Sequence, residues 1–476
     1  MTATALIAKN TFVQVLGRVA GTALGLLTLG VMTRYLGTQG YGEFTTVTTF
    51  LQFFGIIVDF GLSLTVVAML SEPTADKDRI ASNVFSLRIV SAATFYVLAP
   101  AMVLLFPYSG QVKLGVAVGT LSFFFIAVNQ ILVGVLQREL RMGRAAGAEV
   151  LGRFGLLLAA WGVARLGLPL VWMIGALIVG NLLTALWNWL LVRKLLKLEW
   201  RAEMPVWKDI VRRSWPIGAS IVFNLIYLKG DVIILSLTRT QAEVGIYGAA
   251  YKILDVLTVI PIMFMGLVLP LLVKARAEGS AENWRRVMQK AFDFMAILAA
   301  PLVAGAWMVG HDLMRFFAGE QFDAAGRMLQ ILILAAAAVF FGSMFGHAVI
   351  AVGKQKPMIW GYAIVAVLAT AGYLYFIPRF GAEAAAWVTV GSEGLIAIFT
   401  FAMVFATTKF APNPGTALRA ISAALAMAVV LHYLPDIQVL LKVLVGAVIY
   451  ALVAFIFGAV TKSTLLELLP KPKPAA

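Results

Sequence analysis

Apolar stretches of about twenty residues recur from one end of this chain to the other, and hydrocarbon tolerates few folds for such a chain. Without water to satisfy backbone N–H and C=O groups, only helices and closed barrels cross a bilayer. A helix of ~20 apolar residues covers its ~30 Å core. Fourteen spans are predicted, near residues 11–33, 44–69, 83–106, 112–136, 146–165, 168–191, 215–237, 246–272, 291–310, 328–351, 358–377, 384–406, 416–434 and 438–460. Of the 476 residues 61% are hydrophobic and 13% charged, against about 25% charged in a soluble domain. The connections are short, so the expected class is an all-α integral membrane protein with no sizeable soluble domain. The run from Phe12 to Met32 is too long for a signal-peptide core and lacks a small-residue cleavage pattern, so it reads as a retained span.

The absence of cysteine excludes disulfides and thiolate metal sites. His311, His347 and His432 are too scattered to form a metal motif, so no metal cofactor is expected. The net charge of +15 reads as a topology signal rather than a nucleic-acid footprint, because the basic residues are spread along membrane edges. The predicted loop between spans six and seven holds Arg193, Lys194, Lys197, Arg201, Lys208, Arg212 and Arg213, and that between eight and nine holds Lys274, Arg276, Arg285, Arg286 and Lys290. The positive-inside rule then places these loops and both termini in the cytoplasm. Trp200, Trp207 and Trp215, interleaved with the 193–213 charges, suit either an anchored linker on the anionic inner leaflet or a regulatory, partner-binding segment.

RYLGTQGYGEF (34–44) and TRTQAEVGIYG (238–248) are loose copies of one another. Thr38-Gln39, Gly42 and Phe44 align with Thr240-Gln241, Gly245 and Tyr247, with one inserted residue. GVLQRELRMGRAAGAEV (134–150) and AVGKQKPMIWGYAIVAV (351–367) both follow the fourth span of a half, and Gly167 and Gly381 precede the sixth. Six spans separate equivalent positions, so both halves enter the membrane in the same direction. That arrangement implies two six-helix bundles around a central cavity, with helices thirteen and fourteen appended. The expected divisions are a first bundle 1–192, a basic linker 193–214, a second bundle 215–407 and a C-terminal part 408–476. Parallel repeats of this kind are a transporter architecture with the site between the repeats. Gly37, Gly40 and Gly42 read as a tight extracytoplasmic turn.

KNTFVQVLGRVAG (9–21), then RYLGTQGYGEF, then a helix ending in DFGLS (59–63), resembles the opening of the Wzx-type polysaccharide flippases. These form a branch of the multidrug/oligosaccharidyl-lipid/polysaccharide exporter superfamily. HAVIAVGKQKP (347–357) and IPRFGAEAAAWVTVGSEG (377–394) are similar to the pattern of that family's second half. The resemblance implies a flippase of the cytoplasmic (inner) membrane, moving undecaprenyl-pyrophosphate-linked oligosaccharide to the outer leaflet by alternating access. It also implies membrane lipids as partners, with a polysaccharide polymerase and a chain-length regulator alongside.

Ionised groups at the bilayer centre cost ~2.5–3.5 kcal/mol on insertion scales, so those that persist mark a lumen or a partner. The spans or their ends contain Arg18, Asp59, Arg88, Arg153, Lys229, Asp231, Lys252, Asp255 and Glu393. The basic residues Arg18, Arg88, Arg153, Lys229 and Lys252 are the candidate pyrophosphate ligands, arginine through its fork of donors and lysine as a point charge. Gly17-Arg18-Val19-Ala20-Gly21 also resembles the Arg-Val-x-Gly of lipid II flippases, where a lumen arginine contacts the substrate phosphates; that family's second arginine is Leu24 here. For Arg18 the alternative is snorkelling to headgroups, and for Arg88 and Arg153 interface anchoring. Asp59, Asp231 and Asp255 either pair with the cations in an empty cavity or bind a coupling proton or sodium ion. Lys252 and Asp255 share a helix face as a static bridge or as a switch opened by phosphate. Pro100, Pro261 and Pro270 are candidate bends, and Asn129, Gln130, Asn181 and Asn224 are loose candidates for sugar recognition.

Three rival readings remain. A drug or cation antiporter of the same superfamily calls for an acidic or aromatic cavity, whereas these spans hold more bases than acids. A lipid II flippase calls for more lumen arginines. A membrane-embedded polyprenyl-sugar enzyme calls for a large outside loop with acid, base or nucleophile, and the loops here are short.

Overall fold

The computed structural model describes residues 3–70, 76–139, 141–197, 199–435 and 437–460, and among these it contains helices and no strands. In chain order they are α1 (Ala3–Asp59), α2 (Leu62–Leu70), α3 (Lys77–Val103), α4 (Gly110–Arg138), α5 (Met142–Arg165), α6 (Leu170–Val192), α7 (Met204–Thr238), α8 (Gln241–Ala277), α9 (Ala281–Ala318), α10 (Ala324–Ala351), α11 (Gln355–Thr408), α12 (Gly415–Tyr433) and α13 (Val439–Ile456), with a short 3-10 turn at Glu320–Phe322 before α10. Residues 461–476 of the expected C-terminal part lie outside the described residues.

Eleven of these helices are long and apolar enough to cross a membrane by length and composition. The fourteen expected spans are recovered because α1 and α11 are each two spans joined at a glycine, and α7 carries the remaining one. Gly37 interrupts α1 at φ 65°, ψ −175°, and Gly381 interrupts α11 at φ 66°, ψ −147°. Both sit in a region that favours glycine. The first half of α1 lies along α5, with Gly17 over Ala146 and Gly21 over Arg153, and the second half lies along α4, with Val47 against Gly115 and Leu51 against Gly119. Since α4 and α5 are consecutive and antiparallel, the chain reverses at Gly37. In α11 Gly361 meets Phe399, which places the reversal near Gly381. Gly167, the counterpart of Gly381 in the other repeat, also has φ 66°. Pro100, Pro261 and Pro270 lie inside helices that continue past them.

The chain forms two compact units whose bounds differ from the divisions expected from sequence. The first comprises Met1–Ala249, Phe317–Gln321 and Thr370–Ala385, and the second Ala250–Phe316, Phe322–Ala369 and Ala386–Ala476. In the second unit α10 is buried along most of its length, with Phe340, Met344 and Phe345 packed among Met265 and Leu272 of α8, Met288 and Met295 of α9 and Val404 of α11. The last two helices belong to this unit. Met427 and Leu431 of α12 face Gly446 of α13, Tyr450 Oη donates to the Ile297 carbonyl at 2.7 Å, and Lys442 bridges Asp312 at 2.8 Å.

The expected linker is strapped to α3 within the first unit. The amides of Lys197, Glu199 and Arg201 donate to Asp78 Oδ1, Ser82 Oγ and Ser86 Oγ at 3.1, 3.1 and 3.0 Å, and the Glu203 amide donates to Asn83 Oδ1 at 2.9 Å. Two residues of extended chain advance about 6.6 Å and four of helix about 6 Å, so every second amide meets every fourth side chain. Residues 204–214, expected as linker, are the opening turns of α7. Arg79 and Asn83 both donate to the Glu203 carboxylate and hold it below the usual glutamate range, the Arg79 hydrogen bond leading.

The two copies of the repeated motif meet. A Cβ built on Gly42 of α1 lies 1.7 Å from the Gln241 carbonyl oxygen and 2.9 Å from the Gly245 amide nitrogen. One built on Gly245 lies 2.0 Å from the Thr38 carbonyl oxygen and 2.9 Å from the Gly42 amide nitrogen. Thr46 Oγ1 donates to Gln241 Oε1 at 2.8 Å across the same junction. Gly42 is therefore a backbone-to-backbone crossing point, as small residues are where membrane helices approach closely, and not the turn residue expected; the turn belongs to Gly37.

Two outcomes are expected. Gly42→Ala must separate two backbones and loses at least the ~1–3 kcal/mol typical of forced overpacking. Thermal unfolding followed by tryptophan fluorescence should show a lowered midpoint, whereas Gly305→Ala, with nothing within 4 Å of its Cβ, should not. Because the Glu203 pKa is depressed in the folded protein, its contribution is present above the ordinary glutamate pKa and lost as pH falls through the depressed value. Wild type should thus exceed Glu203→Gln in stability at neutral pH, with the difference vanishing on acidification.

Candidate functional site

Arg18 and Arg153 converge on one acid. Glu149 Oε1 lies 3.4 Å from Arg18 Nη1, 2.8 Å from Arg153 Nη2 and 3.1 Å from Arg153 Nε. Arg153 Nη1 also donates to the Gly21 carbonyl at 3.2 Å. The side chains of the three charged residues are 43%, 38% and 36% exposed in the order Arg18, Glu149, Arg153. Glycines on α1 make room for the arginine: Cβ atoms at Gly21 and Gly25 would meet Arg153 Cδ at 3.2 Å and Nη1 at 3.0 Å. At 1.5 Å per residue Arg153 sits about 16 Å from one end of α5 and about 18 Å from the other, at mid-depth. Arg18 lies about 28 Å along α1 from Gly37, near the far edge of the hydrocarbon. Arg153 reaches across to α1 rather than along its own helix to an interface. Two fixed cations and one anion leave a net positive, open cluster capable of taking an oxyanion.

Arg88 is arranged otherwise. It is fully buried, its Nη1 donates to the Val58 carbonyl at 3.0 Å, and its Nη2 meets Asp59 Oδ1 at 2.5 Å and Ser63 Oγ at 3.0 Å. Ser63 Oγ donates to the same Asp59 oxygen. These bonds close the break between α1 and α2, where Phe60 and Gly61 adopt φ 36° and 80°. The expected pyrophosphate ligand Arg88 and the expected coupling acid Asp59 are thus partners of each other in a sealed pair. Burial leaves Arg88 no face for a phosphate.

Asp231 is also buried. Its Oδ2 accepts from Tyr247 Oη at 2.5 Å and its Oδ1 from the Val232 amide at 2.7 Å. Tyr247 is the tyrosine of the second motif copy; the aligned Phe44 has no hydroxyl to place. Lys229 is half-buried two residues before Asp231. Lys252 is exposed and Asp255 half-buried on the part of α8 that belongs to the second unit. The structure therefore brings together Arg18 with Arg153, and Arg88 with Asp59.

Several functional-looking residues escape a reading for isolated charges. Glu149 lies in the 134–150 segment, and its i,i+4 spacing to Arg153 was the available signal. Glu43, inside the first motif, is buried and accepts from Ser109 Oγ at 3.0 Å. Glu393 of α11, by contrast, is among the span charges the sequence singles out, and it is buried with Oε1 lacking a hydrogen-bond partner among the described residues. Two of the loose amides are engaged within the fold: Asn188 Nδ2 donates to Asn129 at 2.8 Å and Asn181 Nδ2 to Ser122 at 2.7 Å. The Asn224 side chain lies outside the described residues. In the second unit α9, α10 and α12 line a half-open cavity of about 550 Å³ whose apolar residues include Ala300, Trp307, Phe341, Ile421 and Ala428. Among the described residues no group of three or more His, Cys, Asp or Glu could hold a metal ion.

The Haloferax volcanii protein named "Probable low-salt glycan biosynthesis flippase Agl15" is 23% identical over 339 residues, 68% of each chain. The Rhizobium meliloti "Succinoglycan biosynthesis transport protein ExoT" is 22% identical over 279 residues, 56% of each chain. Among solved structures, the lipid II flippase MurJ in an inward closed conformation superposes with a TM-score of 0.77 at 16% identity, covering 95% of this chain and 98% of that one. An inward-facing multidrug resistance MATE transporter of the MOP superfamily gives 0.68 at 15% identity, covering 84% and 98%. These structural likenesses establish the fold. The family model described as "Polysaccharide biosynthesis protein" matches residues 7–276, more than half of the chain, and this all-helical transporter fold accordingly belongs to the polysaccharide biosynthesis protein family.

Proposed function

We propose that the protein is a flippase carrying undecaprenyl-pyrophosphate-linked oligosaccharide from the cytoplasmic to the outer leaflet of the cytoplasmic membrane, by alternating access and with both termini cytoplasmic. The observation that carries this reading is the open, net-positive cluster of Arg18 and Arg153 on two membrane helices of a polysaccharide biosynthesis family member. Two converging guanidiniums match the oxygens of a pyrophosphate through charge-assisted, forked hydrogen bonds. A cationic cluster repels cationic drugs, which separates this function from that of a drug antiporter. The relatives are transporters, and the protein is a transporter rather than an enzyme.

The apolar cavity among α9, α10 and α12 supports a second element of the proposal, that the C-terminal helices shelter the polyprenyl tail while the headgroup crosses. Lys229 and Lys252 are further candidate point charges for a phosphate. The coupling ion is a proton or sodium, and Glu393 is its candidate carrier alongside Asp231 and Asp255. A polysaccharide polymerase and a chain-length regulator are the proposed downstream partners.

Leaflet-to-leaflet movement of a polyprenyl-pyrophosphate-linked sugar in proteoliposomes tests the reading. Arg18→Ala, Arg153→Ala and Lys252→Ala should insert normally and lose roughly tenfold or more of the rate, the scale of one or more charge-assisted bonds. Full-rate transport by the two arginine variants would overturn the headgroup site. Ala428→Phe, which fills the apolar cavity, should slow transport of the long-chain substrate and leave binding of inorganic pyrophosphate unchanged; equal rates for wild type and variant would remove the cavity from the path.

A further inference from the structure

We infer that Glu149 is the site's own counter-anion: it holds the ground between Arg18 and Arg153 that a phosphate takes on loading, and it returns there on release. The identity of that phosphate as a lipid headgroup rests on the flippase reading; the exchange itself rests on the geometry.

A single oxygen, Oε1, serves both guanidiniums, at 3.4 Å for Arg18 and 2.8 Å for Arg153. Glu149 Oε2 has no hydrogen-bond partner among the described residues. The carboxylate is therefore well placed for one arginine and stretched to the other. A phosphate, with several oxygens around one centre, can satisfy both forks together. The charges agree with the geometry: two cations against one anion leave one positive charge unbalanced, so a multiply charged phosphate outcompetes a single carboxylate. Without Glu149, the empty site would hold Arg153 at mid-depth beside Arg18 with no anion between them, a costly arrangement. A loaded site has no such need.

Tethering explains how a tight site lets go. Glu149 sits one turn from Arg153 on α5, so it competes at the high effective concentration of a linked group. It needs no diffusion to recapture the arginines when the phosphate loosens. Release is then a local exchange of one anion for another, with no interval in which the cations stand bare.

The test uses full-length protein in nanodiscs, with binding of inorganic pyrophosphate and of a short-chain polyprenyl pyrophosphate measured for wild type, Glu149→Gln and Glu149→Asp. Glu149→Gln removes the competing charge while keeping the shape, and should bind both probes roughly tenfold more tightly and turn over more slowly in the transport assay. Glu149→Asp keeps the charge and should stay within about threefold of wild type. Unchanged or weaker binding of both probes by Glu149→Gln would show that Glu149 only props the arginines in place, and would overturn the inference. Tightening for inorganic pyrophosphate alone would uphold the exchange while removing the lipid-linked substrate, so the two readings fail separately.

Discussion

An ionised group placed in hydrocarbon has to find either an opposite charge or water, and this constraint governs how the membrane helices of the protein are arranged. The described spans answer it in two ways. Arg88 and Asp59 answer it by sealing themselves together with Ser63 and a backbone carbonyl at the α1–α2 break. A pair of that kind fixes geometry, and removing one partner leaves the other stranded. Arg18, Glu149 and Arg153 answer it by sharing charge in a cluster that remains more than a third exposed. The same residue type is sealed in one place and open in the other, and exposure separates the two.

Spans and their order are legible in the sequence because the signal is cumulative: each span is a long apolar run, and a boundary error of a few residues does not change the count. The repeat is legible for the same reason, since Gly167 and Gly381 both need left-handed backbone angles and mark equivalent places. Individual side chains are less readable. Arg18, Arg88 and Arg153 look alike in a one-dimensional scan, yet one is fully buried and two are open. Gly42 reads as a turn because it follows Gly37 and Gly40, and only the neighbouring helix reveals that it lies at a crossing. The strap over α3 is equally invisible in one dimension, because its regularity depends on matching an extended rise to a helical one between segments more than a hundred residues apart.

Symmetry between the repeats is kept in the backbone and broken in the chemistry. The reversals after the first span of each half coincide in alignment, and the motif copies cross each other. The second copy places a Tyr247–Asp231 hydrogen bond where the first has Phe44. Arg18 and Arg153 both lie in the first repeat, and Glu393 in the second. A duplicated scaffold has thus been given a different polar character in each half.

The meeting of Gly42 with Gly245 has a consequence for what holds the two helices together. Neither residue has a side chain, so the crossing point itself has no rotamers to order. What holds it is dispersion between bare peptide planes and a flanking hydroxyl–amide bond, both of which vanish within a short separation. A seam of that construction is held by proximity alone and tolerates no added bulk at its centre.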